Sequence, residues 1–243
     1  MKFIIEFGVN HLGNKKILNG FINFFCNSSF SYCTFMLHNK GFYRTKPNYY
    51  IDPSDMYKII DKIKKRKKKI GLSVCDTFTY QSYKNLNFDF FKLLSISNTN
   101  GELINLIKNK KKFIYISTGL GRVKKSLSFF KKYKKKSLLH TPMTYKSNQL
   151  KFNQINKFKD KYKVEVGYSC HNNNINTLYA LSYYNPSSIF LYTKHSNNKK
   201  IKIPDDQHAV VISDLERVKK NYLDCLNAHK NANKKYKINI FKK

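Results

Sequence analysis

The stretch VEVGYSCHNNNINTLYALSYYNPSSIFLYTKH, residues 164–195, holds two short apolar runs with a candidate helix between them. The runs are Val164–Val166 and Ile189–Tyr192, and each is followed by a histidine, His171 or His195. The histidines are 24 positions apart (195 − 171 = 24), a spacing that accommodates a helix and a second strand. Parallel strands joined in this way end at the same edge of a sheet, so both imidazoles are expected at one edge.

The same alternation of apolar run and helical stripe recurs along the chain. The runs predicted as strands are Phe3–Phe7, Tyr32–Leu37, Ile70–Val74, Phe88–Leu94, Phe113–Ile116, Ser137–Leu139, Val164–Val166 and Ser188–Tyr192. Apolar strands that alternate with helices are typical of a parallel sheet, and eight units favour a closed (β/α)8 TIM barrel, a single-domain α/β fold. An open doubly wound sheet is the alternative, but no GxGxxG follows the first run. We assign residues 1–230 to the barrel and 231–243 to a basic C-terminal tail.

The formal charge of +33 raises the question of a nucleic-acid partner. Only four of the 47 basic residues are arginine, the residue that makes bidentate contacts with phosphates and bases. The basic runs 64–69, 108–112 and 131–136 fall at predicted helix ends or loops, where water solvates them. We therefore expect nucleic acid to bind only nonspecifically.

No apolar run reaches the roughly 18–20 residues that a membrane span needs, so we expect no membrane partner. The N-terminal stretch has Glu6 within its apolar run and no small-residue cleavage site, so we interpret it as a first strand and not as a signal peptide. The five cysteines are odd in number and include no CxxC pair, a pattern that favours reduced thiols in a cytoplasmic protein.

Polar residues gather where the predicted strands end, at the edge that carries the active site of a barrel. They are Glu6, Asn10, His11, His38, Asp76, Lys92, Ser95, Ser117, Thr118, His140, Tyr145, Ser169, His171, Lys194 and His195. Polar groups on one rim of an apolar barrel are costly unless they bind something. A single histidine such as His38 or His140 is more often structural than functional.

Three of these groups indicate ligands. Neutral imidazoles are suited to Mn, Co, Fe or Zn, so the pair of His171 and His195 predicts a divalent metal ion. Lys92 and Ser95 form a lysine–hydroxyl pair, which is suited to a phosphate or carboxylate but also to the rim of the core. Ser117 lies in an STG tripeptide before a predicted helix, whose N terminus attracts anions, although the tripeptide alone is a weak signal.

Seven short motifs, in this order, resemble those of the sialic acid synthase (N-acetylneuraminate synthase) family. They are IIEFGVNHLGN (4–14), FKLLS (91–95), ISTGL (116–120), LLHTPMTY (138–145), GYSCH (167–171), TKH (193–195) and DDQHAVVISDLERV (205–218). The first resembles the family's E-I-G-x-N-H-x-G opening. The resemblance extends from about Phe3 to Leu226, nearly the whole chain.

The resemblance implies a TIM barrel that condenses phosphoenolpyruvate with an N-acylated mannosamine or related aldose and releases phosphate. It implies a divalent metal ion, usually Mn²⁺, bound by His171 and His195, which would polarise the sugar aldehyde. By the same resemblance Glu6 is the catalytic acid–base residue. The implied phosphoenolpyruvate contacts are Lys92, Ser95, Ser117 and Ser169, and the implied sugar contacts are Asn10, Tyr145 and Asp206.

The chain also departs from the family pattern. Met36 stands where a lysine that contacts phosphoenolpyruvate is expected, and Cys170 and Thr193 replace acidic residues near the two histidines. Typical members carry a small C-terminal antifreeze-like domain that reaches the active site of a dimer partner, and we find no counterpart in this sequence. Three hypotheses stay open: a synthase completed by a homodimer or a separate partner chain, a non-catalytic barrel that binds sugar or assists assembly, and a polyanion-binding protein.

Overall fold

The computed structural model describes residues 1–197 and 202–231, which form a closed barrel of eight parallel strands. The strands are β1 (Lys2–Glu6), β2 (Tyr32–Met36), β3 (Lys69–Val74), β4 (Phe90–Leu93), β5 (Phe113–Ser117), β6 (Lys136–His140), β7 (Val166–Ser169) and β8 (Ser188–Lys194). Each strand pairs in parallel with the next along the chain, and β8 pairs with β1. A short β9 (Val210–Val211) extends the sheet beyond β8. The predicted (β/α)8 barrel is confirmed.

Helices follow the strands, and most of them bury apolar side chains against the barrel. They are α1 (Lys15–Asn27), α2 (Lys40–Thr45), α3 (Pro53–Lys65), α4 (Thr77–Tyr83), α5 (Gly101–Asn109), α6 (Val123–Phe129), α7 (Gln154–Tyr162), α8 (Asn176–Leu181) and α9 (Leu215–Asn231). Helix α1 begins where the Asn14 side chain accepts hydrogen bonds from the backbone N–H groups of Lys16 and Ile17. Helix α3 begins in the same way at Asp52, with proline at its first position.

The apolar core has two parts, one between strands and helices and one inside the barrel. The inner cluster consists of Ile4, Phe90, Tyr115, Leu139 and Phe190, which come from five different strands. The Phe190 and Tyr115 rings lie 5.0 Å apart although β8 and β5 are not neighbours, so this contact crosses the interior. On β3, a Cβ at Gly71 would lie 2.2 Å from the Phe90 ring, so only glycine leaves room for this aromatic floor.

The inner cluster also fixes which strand residues face inward above it. Alternate residues of a strand face the same side of a sheet. Glu6, Lys92, Ser117 and Tyr192 each follow an inner-cluster residue by two positions and therefore face the barrel interior nearer the carboxyl ends of the strands. The sequence alternation thus places a polar layer directly above an apolar floor.

Residue 230, the predicted end of the barrel, lies within α9, and residues 232–243 of the predicted basic tail lie outside the described part of the chain. None of the helices within the described ranges combines the length and apolar character that a membrane span needs. All five cysteines are free thiols.

Candidate active site

A buried ion pair lies at the centre of the polar layer. The Glu6 carboxylate, on β1, is 0% exposed, and the Lys92 side chain, on β4, is 1% exposed. Lys92 Nζ donates to Glu6 Oε2 and also to Ser169 Oγ on β7, at 3.2 Å. Ser73 Oγ, on β3, donates to Glu6 Oε1 at 2.7 Å. One hydrogen-bond network therefore joins four strands across the interior of the barrel.

Aromatic rings enclose the ammonium group of this pair. Lys92 Nζ lies 4.7 Å from the centroid of the Phe190 ring and 5.3 Å from that of Tyr192, within the range of cation–π attraction. Burial, followed by the nearby carboxylates of Glu6 and Asp205, raises the pKa of the Tyr192 hydroxyl well above its usual range. The phenol therefore stays protonated and available as a hydrogen-bond donor at neutral pH.

Two imidazoles meet beside this network. The ring centroids of His171, after β7, and His208, after β8, lie 5.0 Å apart, and both rings contact Tyr192. The pKa of His171 is lowered to about 3, mainly by burial and further by the neighbouring His208 and Lys92. Burial, with Lys92 and Lys194, lowers the pKa of His208 to about 4. Both rings are therefore neutral at pH 7.

Asp205 approaches the same place from the loop after β8. Its backbone N–H donates to Asn10 Oδ1 at 3.2 Å, and Asn10 Nδ2 donates to the Thr193 carbonyl at 2.8 Å. Burial, followed by the charge of Glu6, raises the pKa of the Asp205 carboxyl to about 7. A Cβ at Gly8, where φ is +56°, would lie 2.7 Å from Asp205 Oδ2, so this glycine makes space for the carboxylate.

The structure brings together five of the residues that the sequence predicts for the site: Glu6, Asn10, Lys92, Ser169 and His171. Three more lie nearby or on the rim. Ser117 is buried on β5, and its hydroxyl has no hydrogen-bond partner among the described residues. Ser95 Oγ accepts from the Gly119 N–H at 2.9 Å, and the exposed Tyr145 ring stacks on His208 at 5.8 Å.

Two predicted residues lie elsewhere. His195 is exposed, and its ring lies against α1, with Cδ2 4.0 Å from where a Cβ on Gly20 would be. Tyr192 faces the barrel interior, so Leu191, Thr193 and His195, at odd-numbered positions, face the outside of the barrel. The structure therefore does not bring His195 to His171. Asp206 is exposed and forms an ion pair with Lys194 at 2.6 Å.

Four residues of the site are missing from the sequence prediction: Ser73, Tyr192, Asp205 and His208. The first two were detectable, since each lies on a strand in alternation with an inward-facing residue. Asp205 and His208 lie on a loop whose path the apolar pattern does not define.

The family resemblance implies a divalent metal ion held by two histidines at this place. Within residues 1–197 and 202–231, no group of three or more His, Cys, Asp or Glu side chains is arranged to hold a metal ion. The predicted pair of His171 and His195 does not fit, because the rings lie apart. The pair of His171 and His208 does fit in donor chemistry, since both rings are neutral and neither nitrogen of His208 has a hydrogen-bond partner among the described residues.

These features define a class: a (β/α)8 barrel with a buried, charged and imidazole-bearing site at the carboxyl ends of its strands. The model of the NeuB family matches residues 35–234, and the chain belongs to that family. The family resemblance seen in the motifs is thereby confirmed. A sequence comparison with curated proteins found no match.

Solved structures of similar fold include a synthetase, a synthase and a spore coat polysaccharide biosynthesis protein. The N-acetylneuraminic acid (sialic acid) synthetase of Leptospira borgpetersenii serovar Hardjo-bovis, in complex with citrate, has a TM-score of 0.85 at 16% identity, over 97% of this chain and 87% of that chain. The Bacillus subtilis spore coat polysaccharide biosynthesis protein SpsE has a TM-score of 0.82 at 12% identity, over 95% of this chain and 69% of that chain. A truncated 3-deoxy-D-arabino-heptulosonate 7-phosphate synthase of Thermotoga maritima has a TM-score of 0.72 at 9% identity, over 93% of this chain and 87% of that chain. At these identities the likeness shows the fold.

Proposed function

We propose that this chain is a synthase that condenses phosphoenolpyruvate with an N-acylated aldose of the mannosamine type. The products are a nonulosonic acid and inorganic phosphate. The observation that carries the proposal is the buried network of Glu6, Lys92 and Ser169 beside two neutral imidazoles, in a chain of the NeuB family. The names of a sialic acid synthetase and a heptulosonate phosphate synthase among structures of the same fold support it.

The proposed reaction joins the two substrates through a new carbon–carbon bond and expels phosphate. C3 of phosphoenolpyruvate forms a bond with the aldehyde carbon of the sugar, and the aldehyde oxygen takes a proton. Water adds to C2 and loses a proton. The bond between C2 and the bridging oxygen then breaks as the new C2 hydroxyl gives up its proton and becomes a ketone, and phosphate leaves with the bridging oxygen.

The charged pair supplies two of the functions that this reaction needs. The ammonium group of Lys92 attracts the carboxylate or phosphate of phosphoenolpyruvate, and hydroxyls of Ser169, Ser117 and Ser95 are proposed as further donors to those anions. Glu6 is proposed to accept the proton of the attacking water, because its carboxylate is fixed by Ser73 and Lys92 inside the barrel.

The sugar is proposed to bind between the imidazoles and the rim. Asn10 is held by the Thr193 carbonyl, and the exposed Tyr145 ring can cover the sugar from the solvent side. We assign the acidic sugar contact to Asp205 rather than to Asp206, because Asp206 faces solvent and is paired with Lys194.

A divalent metal ion, Mn²⁺ according to the family resemblance, supplies Lewis-acid polarisation of the sugar aldehyde when it is bound. His171 and His208 are the residues proposed to hold it.

We also propose that the reaction takes place in the cytoplasm, where the five thiols would stay reduced, and that a second copy or a separate chain covers the site.

A second candidate function is a non-catalytic barrel that binds sugar or assists assembly. The observation that favours it is the weak positive charge of the site. Met36 lies at the end of β2, where the family resemblance implies a lysine, and Lys92 and Lys194 each already pair with a carboxylate. Phosphoenolpyruvate would then meet less free positive charge than a synthase needs.

The test uses the full chain, phosphoenolpyruvate, MnCl₂ and a panel of N-acyl hexosamines, with phosphate release and product mass as readouts. A synthase releases phosphate only with the right sugar, and forms a product with the mass of the two substrates plus water minus phosphate. Absence of release with every acceptor, from protein shown by circular dichroism to be folded and by metal analysis to be loaded, contradicts the synthase and supports the second candidate.

A further inference from the structure

We propose that a cavity in the helical layer, between α1, α3 and the segment 48–51, binds a small organic carboxylate with an apolar body. The cavity has a volume of about 200 Å³ and shares no lining residue with the network of Glu6, Lys92 and Ser169. The proposal is independent of the proposed synthase reaction, because binding at this cavity is measured without turnover.

The first observation is a hydrogen-bond donor on the cavity wall that has no protein acceptor. The His11 ring lines the cavity, and its Nδ1 accepts a hydrogen bond from the Gly13 N–H at 3.1 Å. A neutral imidazole carries one proton, which in this ring is therefore on Nε2. Within the described ranges, 1–197 and 202–231, Nε2 has no hydrogen-bond partner. This N–H is available to an oxygen atom of a ligand.

The second observation is an excess of positive charge on the solvent side of the cavity. Lys15, on α1, and Lys58, on α3, share the Asp55 carboxylate, with N–O distances of 3.5 and 3.6 Å. Both distances exceed the usual length of a hydrogen bond, and both lysines are exposed, so the pairing is weak. The nearby carboxylate of Asp52 caps α3 and accepts from the Ser54 N–H. The lining therefore favours an anion over a cation.

The third observation is an apolar wall beside these donors. Leu18 and Ile59 are buried, Ile51 is half-buried, and all three line the cavity. An organic carboxylate can cover this wall with its body and place its oxygens near the His11 N–H and the two lysines. Inorganic phosphate would leave the wall uncovered, and an amine would meet like charge. An apolar carboxylate is therefore the class of ligand that uses every part of the lining.

The experiment is a ligand-observed proton NMR titration of the full chain with benzoate, a carboxylate with an apolar body. Three further probes each change one property: benzamide removes the charge, benzylamine reverses it, and acetate removes the apolar ring. We expect benzoate to bind, and each of the other probes to bind about tenfold more weakly.

Variants of the lining locate the bound benzoate, and each is checked for folding by circular dichroism. The double variant Lys15→Met/Lys58→Met removes the charge, His11→Phe removes the N–H, and Asn19→Phe fills the cavity from its exposed side. Lys16→Met is the matched control, because Lys16 is exposed on α1 outside the lining. We expect benzoate affinity to fall about fivefold in the lysine double variant and about tenfold in His11→Phe. Binding should be lost in Asn19→Phe and unchanged in Lys16→Met.

Three outcomes overturn the proposal. Equal benzoate affinity in Asn19→Phe and the unaltered protein means that benzoate binds elsewhere. Benzamide or benzylamine that binds as tightly as benzoate excludes a carboxylate site. No detectable binding of benzoate at millimolar concentration leaves the cavity without the proposed ligand. If His11→Phe does not fold, the exposed positions Lys15, Lys58 and Asn19 decide the outcome, since their replacement leaves the core intact.

Discussion

The ion pair between Glu6 and Lys92 is almost completely removed from solvent, so each charge depends on the other. Removing one partner of such a pair leaves an uncompensated buried charge, which typically costs about 3–5 kcal/mol. The same two residues are proposed to bind anions and to move a proton. A substitution at Glu6 or at Lys92 is therefore expected to lower both the free energy of unfolding and the activity.

Lys92→Met tests this coupling. We expect the free energy of unfolding to fall by about 3–5 kcal/mol, because Glu6 would stay buried without its cation. The measurement is urea unfolding at pH 7. The control is Lys65→Met, which removes an exposed pair with Asp61 and should leave the unfolding curve unchanged. Equal curves for Lys92→Met and the unaltered protein contradict the description of a buried, mutually dependent pair.

His11 predicts a pH dependence that is separate from the candidate metal site. Burial lowers its pKa from 6.5 to about 4, and its Nδ1 accepts a hydrogen bond from the Gly13 N–H at 3.1 Å. The unfolded chain binds a proton at this residue below pH 6.5, while the folded chain does not until about pH 4. The free energy of unfolding therefore rises with pH from 4 to 6.5, and the contribution is complete above 6.5.

His11→Gln keeps an acceptor for Gly13 but removes the titration. At roughly 1.4 kcal/mol per pKa unit, we expect the drop in stability between pH 7.5 and pH 4 to shrink by about 3 kcal/mol. Urea unfolding at several pH values measures it. Identical pH slopes for both proteins would show that the folded chain protonates His11 as readily as the unfolded chain does.

Among the elements, the strands illustrate what a sequence can predict. Each of the eight predicted runs overlaps an observed strand, because runs that are buried on both faces carry a strong hydrophobic signal. The boundaries differ most at β7, predicted as Val164–Val166 and observed as Val166–Ser169. Helix α2 is not predicted by the apolar pattern, since none of its residues is buried.

The site was predictable only where strands define it. Glu6, Lys92 and Ser169 lie on or beside inward-facing strand positions, and motif and alternation agree there. For His195 the motif predicts a position in the site, whereas the alternation of residues along β8 predicts an outward direction. The structure has His195 on the outside. His208 and Asp205 reach the interior through a loop whose path depends on Asn10 and Gly8, contacts that are nearly 200 residues distant in sequence.

Two glycines give a matched test of the barrel interior. Gly71→Ala would place a Cβ 2.2 Å from the Phe90 ring, so we expect a loss of about 1–3 kcal/mol from overpacking. Gly20→Ala, within α1, has space for its Cβ and should stabilise the protein by about 0.5–1 kcal/mol through helix propensity. Thermal unfolding compares them. A Gly71→Ala protein as stable as the Gly20→Ala protein contradicts the close packing of the aromatic floor.

At the scale of the whole molecule, three long basic runs and the candidate site lie at opposite ends of the barrel. The basic runs 64–69, 108–112 and 131–136 precede β3, β5 and β6 and therefore lie at the amino ends of the strands. The candidate site lies at the carboxyl ends. The positive charge of these three runs is thus separated from the site by the aromatic floor, and their lysines contribute little to binding inside the barrel.

This separation predicts how polyanions bind. Fluorescent single-stranded DNA oligonucleotides of unrelated sequence should bind with equal affinity, and binding should weaken steeply as NaCl rises from 50 to 200 mM, following the roughly 10³–10⁵-fold loss known for multiple phosphate contacts. Fluorescence anisotropy measures this, with His171→Ala as the control that should behave like the unaltered protein. A strong preference for one sequence would indicate a dedicated nucleic-acid partner instead.

The synthase chemistry is tested most directly by the fate of water oxygen. The full chain is incubated with phosphoenolpyruvate, the accepted N-acyl hexosamine and Mn²⁺ in ¹⁸O-labelled water, and the released phosphate is analysed by mass spectrometry. Cleavage between C2 and the bridging oxygen predicts sugar-dependent release of phosphate without ¹⁸O. Phosphate that carries ¹⁸O, phosphate released without sugar, or no phosphate from folded and metal-loaded protein would each contradict a condensing synthase.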